Sequence, residues 1–265
     1  MVLTQAQIQK TFVVSLMGLA GFIEGFCIRR HGCFPNLMTG TILKVAEAVA
    51  NWNLSTTCLH ASMVGCYIGG GFLFSQLKQS TLANAANKNK SKHEQKESSL
   101  LTISILSGLF FLLSDMTDGV SSALKLPLLA VGFGIINAGT VDVGAGVTYA
   151  MTGHVTKIGQ GLATGGLAKG SEDPSATSAK GVAVFFGAAM AANLVCGFLE
   201  QTTSASANVA LLPLRMARTV LQRLPLGTTV AVAYAWLFRW YVGASAKVVS
   251  AASASEAAAA AAKMK

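Results

Sequence analysis

Polar and apolar residues are sorted into long blocks along this chain, and the apolar blocks have the lengths of helices inside a membrane. Thr11 to Ile28 is an 18-residue apolar run broken only by Glu24 and closed by Arg29-Arg30-His31. Such a run just spans a bilayer core when its flanks help. Gly32 to Asn36, with Pro35 inside it, interrupts the helix. The segment Thr39 to Trp52 is shorter; at about 1.5 Å per residue it reaches roughly 20 Å, less than a ~30 Å hydrocarbon core. Thr57 to Leu77 is full-length, and its Gly65-x-x-x-Gly69 spacing predicts a small-residue face packed closely on another helix. A polar, lysine-rich linker covers 78–99, and Leu100 to Leu113 forms a fourth apolar segment ended by Asp115 and Asp118.

The order then repeats. Leu126 to Val141 matches the first segment and Thr152 to Leu167 the short one. Lys180 to Leu199 matches the third, with Gly187 and Ala191 opposite Gly65 and Gly69. Met38-Thr39-Gly40 recurs as Met151-Thr152-Gly153, 113 residues later, and the same shift places Gly21 on Gly134, Ile23 on Ile136 and Lys44 on Lys157. A repeat this long reads as a half-domain duplicated and fused, a common plan in membrane transporters.

The expected fold is an all-α integral membrane protein. It has two homologous halves of three to four apolar helices each, with one short helix per half starting at a Met-Thr-Gly motif. The expected divisions are a polar N-terminal segment (1–10), a first membrane repeat (11–113), a second repeat (124–247) and an alanine-rich tail (248–265). The second repeat contains a basic stretch, 209–224, read as a helix on the membrane surface. Spanning short helices give eight crossings and parallel halves; re-entrant ones give six crossings and inverted halves. The charges do not choose between these.

Composition supports the membrane reading. Hydrophobic residues make up 52% and charged ones 12%, about half the charge of a soluble domain, and the mean hydropathy is +0.53. The net charge of +9 is concentrated between apolar runs, at Lys78, Lys88, Lys90, Lys92 and Lys96 and at Arg215, Arg218 and Arg223. That pattern suits loops beside anionic lipid. No basic-aromatic module accompanies it, so nucleic acid is not an expected partner. The expected partners are the lipid bilayer and either further copies of the chain or a larger membrane complex. The five cysteines lack C-x-x-C spacing and the four histidines lack ligand spacing, so neither a metal site nor a cofactor is expected.

The repeated motif carries the candidate chemistry. Thr39 and Thr152 are placed to cap the short helices, and Gly40 and Gly153 allow close approach. A helix N-terminus inside a membrane attracts anions. Lys44 and Lys157 lie five residues further on, and an intramembrane lysine needs a partner or a function. Glu24 has Asn137 as its mate at the 113-residue shift, and Glu47 has Gln160. The candidate site is therefore Glu24, Thr39, Gly40, Lys44, Asn137, Thr152, Gly153 and Lys157, a polar site between the halves. The same residues admit a purely structural reading, with Glu24–Lys44 a buried pair and the glycines serving packing. No nucleophile constellation, P-loop or dinucleotide fingerprint is present, so an enzyme is not expected.

Two stretches, Gly21-Phe22-Ile23-Glu24-Gly25 with Phe34-Pro35-Asn36-Leu37-Met38-Thr39-Gly40-Thr41, and Gly134-Ile135-Ile136-Asn137-Ala138 with Thr152-Gly153-His154, resemble the corner motifs of the YoaK-type (UPF0700-like) membrane proteins. In those proteins an aspartate stands at the place of Glu24 and an asparagine at that of Thr41. The resemblance covers roughly residues 11–245 and implies a polytopic membrane protein of unknown function. The leading functional expectation is a small-molecule transporter or permease with a polar, anion-accepting site between the halves. The alternative is a non-catalytic scaffold subunit of a larger membrane complex.

Overall fold

The computed structural model describes residues 4–86, 92–117, 122–142, 158, 174–204 and 225–263. Among them are seven helices: α1 (Gln5–His31), α2 (Met38–Ala50), α3 (Leu54–Ala86), α4 (Lys92–Met116), α5 (Ser122–Asp142), α6 (Pro174–Ser204) and α7 (Leu226–Lys263). The second Met-Thr-Gly motif, the short helix expected over 152–167 and the basic helix expected over 209–224 lie outside the described residues. Four helices are long and apolar enough to cross a membrane, over Gln5–Arg29, Leu54–Ser80, Ala123–Val141 and Ala176–Gly197.

Several helices outrun their apolar cores. α1 starts at Gln5 rather than near Thr11, because Thr4 and Gln7 form a capping box. The Gln7 N–H donates to Thr4 Oγ1 (3.3 Å) and the Thr4 N–H to Gln7 Oε1 (2.9 Å). Ile8 and Phe12 are thereby buried in the bundle. α3 and α4 take up most of the expected polar linker as extra turns, and the alanine-rich tail continues α7. Alanine and lysine favour helix without any packing partner.

The close contacts fix the helix directions. On α1 and α6, Gly18, Gly21 and Gly25 face Val184, Phe185 and Ala189 in ascending order, so these helices run parallel. On α3 and α5, Tyr67 faces Gly134 and Gly71 faces Ala138, again parallel. α4 is antiparallel to α5, with Ile103 against Gly139, Phe111 against Gly132, and the Ser114 hydroxyl donating to Lys125 O. It is also antiparallel to α7, with Asp115 at Gly227–Thr228 and Gly108 by Ala231. α1 and α7 oppose each other too: Gln5 donates to Ser245 Oγ at 3.2 Å and Phe12 stacks on Tyr241 at 4.2 Å. Thus α1, α4 and α6 run one way and α3, α5 and α7 the other. α2 joins two helices of opposite direction and makes no net crossing.

An aromatic column fills the centre. Phe12 contacts Phe238 and Tyr241, Phe238 contacts Tyr234, and Tyr234 meets Phe111 and Phe133. All six are at most 1% exposed, and tilted or offset rings at these spacings add to simple burial. Two backbone contacts hold the flanking pairs closest. A Cβ on Gly21 would run into the Phe185 carbonyl, and one on Gly134 into that of Tyr67. The Gly65–Gly69 face behaves differently from expectation, since nothing lies within 4 Å of either glycine. α3 uses the neighbouring Gly70 against Val131 instead.

Candidate functional site

The polar centre of the described structure is the corner between α1 and α2. α1 stops because Gly32 adopts a left-handed conformation (φ 64°) and returns its N–H to Ile28 O, which costs glycine little. The chain then passes through Pro35, which cannot continue the helix, and turns into α2. Glu24 is 2% exposed, and its Oε1 accepts from the backbone N–H groups of Asn36 (2.7 Å) and Leu37 (3.0 Å). A carboxylate from α1 therefore satisfies the donors that lead into α2, as side-chain caps do.

This arrangement corrects the capping role expected of Thr39. The helix begins at Met38 with Leu37 at the cap position and no side-chain cap bond, so Thr39 lies inside the first turn and is exposed. Thr41 does the tying instead. Fully buried, its hydroxyl donates to Phe34 O (2.5 Å) and is 3.4 Å from Leu37 O. Gly40 lies under the Phe34 ring, where an added Cβ would sit 3.0 Å from Cδ2. The Glu24 carboxylate sits just ahead of this helix N-terminus, on the N–H groups of Asn36 and Leu37.

Lys44 does not meet Glu24. It bonds to Glu47 at 2.8 Å on the exposed side of α2, where an ion pair contributes little. The hydrogen bond from Lys44 and its charge hold the Glu47 carboxyl below the usual range.

Around Glu24 several buried polar atoms have no partner: Glu24 Oε2 itself and both side-chain polar atoms of Asn36. Tyr67 of α3 and Cys33 lie within electrostatic reach of Glu24. Burial first, and then that charge, push the Cys33 thiol up to about 12. Also on α3, buried His60 bonds through Nδ1 to Thr56 O at 3.1 Å and leaves Nε2 unpartnered. Buried polar groups rarely go unpaired without a reason.

Asn137 lies inside α5. Its Oδ1 is buried and unpartnered, while its backbone carbonyl accepts from Thr140 Oγ1 at 2.9 Å. Glu24 and Asn137 lie at different depths. Phe12 is level with Phe238 and Tyr241, so Glu24, twelve residues on, is level with the Asp115–Thr228 junction. Asn137 is beside Gly139, which faces Ile103 midway along α4. At 1.5 Å per residue the separation along the bundle is roughly 13 Å. Glu24 and Asn137 are thus two sites rather than one. Thr152, Gly153 and Lys157 lie outside the described residues.

The third polar junction was legible only as a helix end. The Asp115 carboxylate accepts from Gly227 N (2.7 Å), Thr228 N (2.5 Å) and Thr228 Oγ1 (2.7 Å), so it caps α7. An acidic residue closing one apolar run and Gly-Thr opening another was the available signal. No three His, Cys, Asp or Glu side chains converge as a metal would require among the described residues.

A bundle of long apolar helices with a Glu-capped corner ahead of Met-Thr-Gly matches one sequence family over residues 12–217. The chain belongs to the DUF1275 family. That family is described as a protein of unknown function, so membership places the chain among its relatives without assigning a reaction. No curated protein and no solved structure matches the chain.

Proposed function

We propose that this DUF1275 protein is an integral membrane protein of two homologous halves in inverted orientation, and that it moves a small polar solute along a path between them. The observation that carries the reading is the pairing of helices. Exchanging the halves converts α1 with α6 into α5 with α3, converts α4 with α5 into α7 with α1, and leaves α4 with α7 as its own counterpart. All five of these pairs are in contact, while the counterpart of α2 with α3 lies outside the described residues. Each helix also runs opposite to its counterpart, which is the inverted plan of many secondary transporters. With α2 making no net crossing, the plan has six crossings.

The close contacts agree. Gly21 against Phe185 answers Gly134 against Tyr67, and Gly25 against Ala189 answers Ala138 against Gly71. This pairs Tyr67 with Phe185 and Gly69 with Gly187, a shift of 118 residues, so Gly187 corresponds to Gly69 rather than Gly65. Glu24 and Asn137, partners at the 113-residue shift, each hold a buried unpartnered oxygen. Those oxygens suit a solute that donates hydrogen bonds or carries positive charge, in place of an anion. The likeness to YoaK-type proteins belongs to the same reading, and no enzymatic step does.

The test is uptake into reconstituted vesicles from a mixed panel of amines, amides and polyols, read by mass spectrometry. Wild type should accumulate at least one solute, and Glu24→Gln and Asn137→Ala should reduce that flux about tenfold or more, the equivalent of one buried hydrogen bond to a charged group. Flux no greater than that of empty vesicles across the panel would sink the idea. A scaffold role is the second reading. The open faces at Gly65, Gly69 and Gly187, with nothing within 4 Å, favour it, and co-migration with a large assembly in mild detergent would select it.

A further inference from the structure

Among the described residues, one cation stands in a groove with apolar walls. Arg239, exposed on α7, lies in a groove of about 650 Å³ between α4 and α7. The groove walls include Leu101, Ile105, Phe238 and Val242, with Ser104 the polar neighbour. Leu101 and Ile105 are more than 60% exposed, so the groove opens on the apolar outer surface of the bundle. No carboxylate or other acceptor pairs with Arg239 among the described residues.

Its depth adds a constraint. Arg239 is six residues inside Ser245, which bonds Gln5 at the start of α1, and is level with Phe12, at the rim of the apolar run Thr11 to Ile28. An arginine so placed is costly unless its head reaches the interface or meets an anion. The guanidinium fork is matched to a phosphate, which it binds through two parallel hydrogen bonds. The walls beside it are hydrocarbon, and the groove volume is in the range that encloses a single ligand.

We propose that this groove binds an anionic phospholipid, with Arg239 on the headgroup phosphate and the Leu101–Val242 walls along an acyl chain. Three features select a lipid over a soluble anion or a second copy of the chain. The opening faces the apolar surface, the charge is single and fixed, and the depth is within reach of a headgroup drawn slightly inward. The site is independent of the transport reading and survives its failure.

The experiment uses the full chain in nanodiscs containing equal phosphatidylglycerol and phosphatidylcholine with identical acyl chains, followed by gentle extraction and native mass spectrometry. Wild type should retain phosphatidylglycerol over phosphatidylcholine by about tenfold, the effect of one charge-assisted hydrogen bond. Arg239→Gln should abolish that preference while eluting as wild type does on size exclusion. Arg239→Lys, which keeps the charge and loses the fork, should retain part of it. Equal enrichment in wild type and Arg239→Gln would overturn the proposal. So would displacement of the lipid by millimolar glycerol phosphate, which would mark a soluble anion as the occupant. Conversion of a wild-type dimer to monomer by Arg239→Gln, with lipid retention unchanged, would assign the groove to a second copy.

Discussion

Removing the Glu24 side chain should unfasten α2 from α1, and the geometry sets the size of the effect. Oε1 accepts two backbone N–H bonds, at 2.7 and 3.0 Å, and the Asn36 donor is buried. Glu24→Ala orphans both donors. Leaving a buried donor unsatisfied costs about 1–3 kcal/mol and a part-buried one somewhat less, so the expected loss is about 2–4 kcal/mol. For a chain of this size, at 2–4 °C per kcal/mol, the Tm should fall by roughly 5–15 °C. Glu24→Gln keeps a carbonyl oxygen where Oε1 stands and should remain within about 1 kcal/mol of wild type. The assay is thermal unfolding in one detergent, followed by intrinsic fluorescence, with both variants beside wild type. An alanine variant as stable as wild type would refute the capping role. A glutamine variant as damaged as the alanine one would show that the charge, rather than the acceptor, holds the corner.

Three further outcomes are expected. A tag inserted between α3 and α4 should be accessible from the same side of the membrane as an N-terminal tag, because two crossings separate them; protease protection on sealed vesicles showing opposite sides would mean that α2 crosses. Asp115→Ala removes three hydrogen bonds at the start of α7 and should lower stability by about 2–4 kcal/mol, whereas Asp115→Asn should lose less; equal Tm values for all three proteins would contradict the cap. At pH 8 maleimide should modify exposed Cys58 and spare buried Cys33, whose thiol is held up at about 12 and stays protonated; raising the pH through about 12 forms the thiolate, and labelling of folded protein at Cys33 as fast as at Cys58 at pH 8 would argue against burial.

The helices were legible because their apolar runs are long and their interruptions sharp, as at Gly32–Pro35. Their ends were not. Thr4 with Gln7 is a capping signal that sits within a polar decapeptide and was outweighed by it. The corner residue was legible as well: Glu24 stood alone inside an apolar run, and a lone acid there needs a partner. Its expected partner, Lys44, is the nearest cation on α2 yet pairs with Glu47, whereas the backbone donors that bind Glu24 carry no mark in sequence. Thr39 belongs to the tripeptide shared with residues 151–153, while Thr41, the residue that holds the corner, lies outside it. Helix direction was out of reach altogether, since it depends on contacts between residues as far as 240 positions apart.

Those distant contacts have a consequence for how the chain is made. α1 leaves the ribosome before the other described helices, yet its main packing partners, α6 and α7, are the last of them to follow. Until they arrive, the Gly21–Gly25 face and the buried side of Phe12 have nothing of their own chain to lie against. Folding in which early segments wait for late ones is intrinsically slow. The packing of α1 on α6 and α7 thus acts as a completeness check. A chain that stops after α5 has finished one side of the bundle and left its first helix without a partner, and such a product is open to removal by quality control.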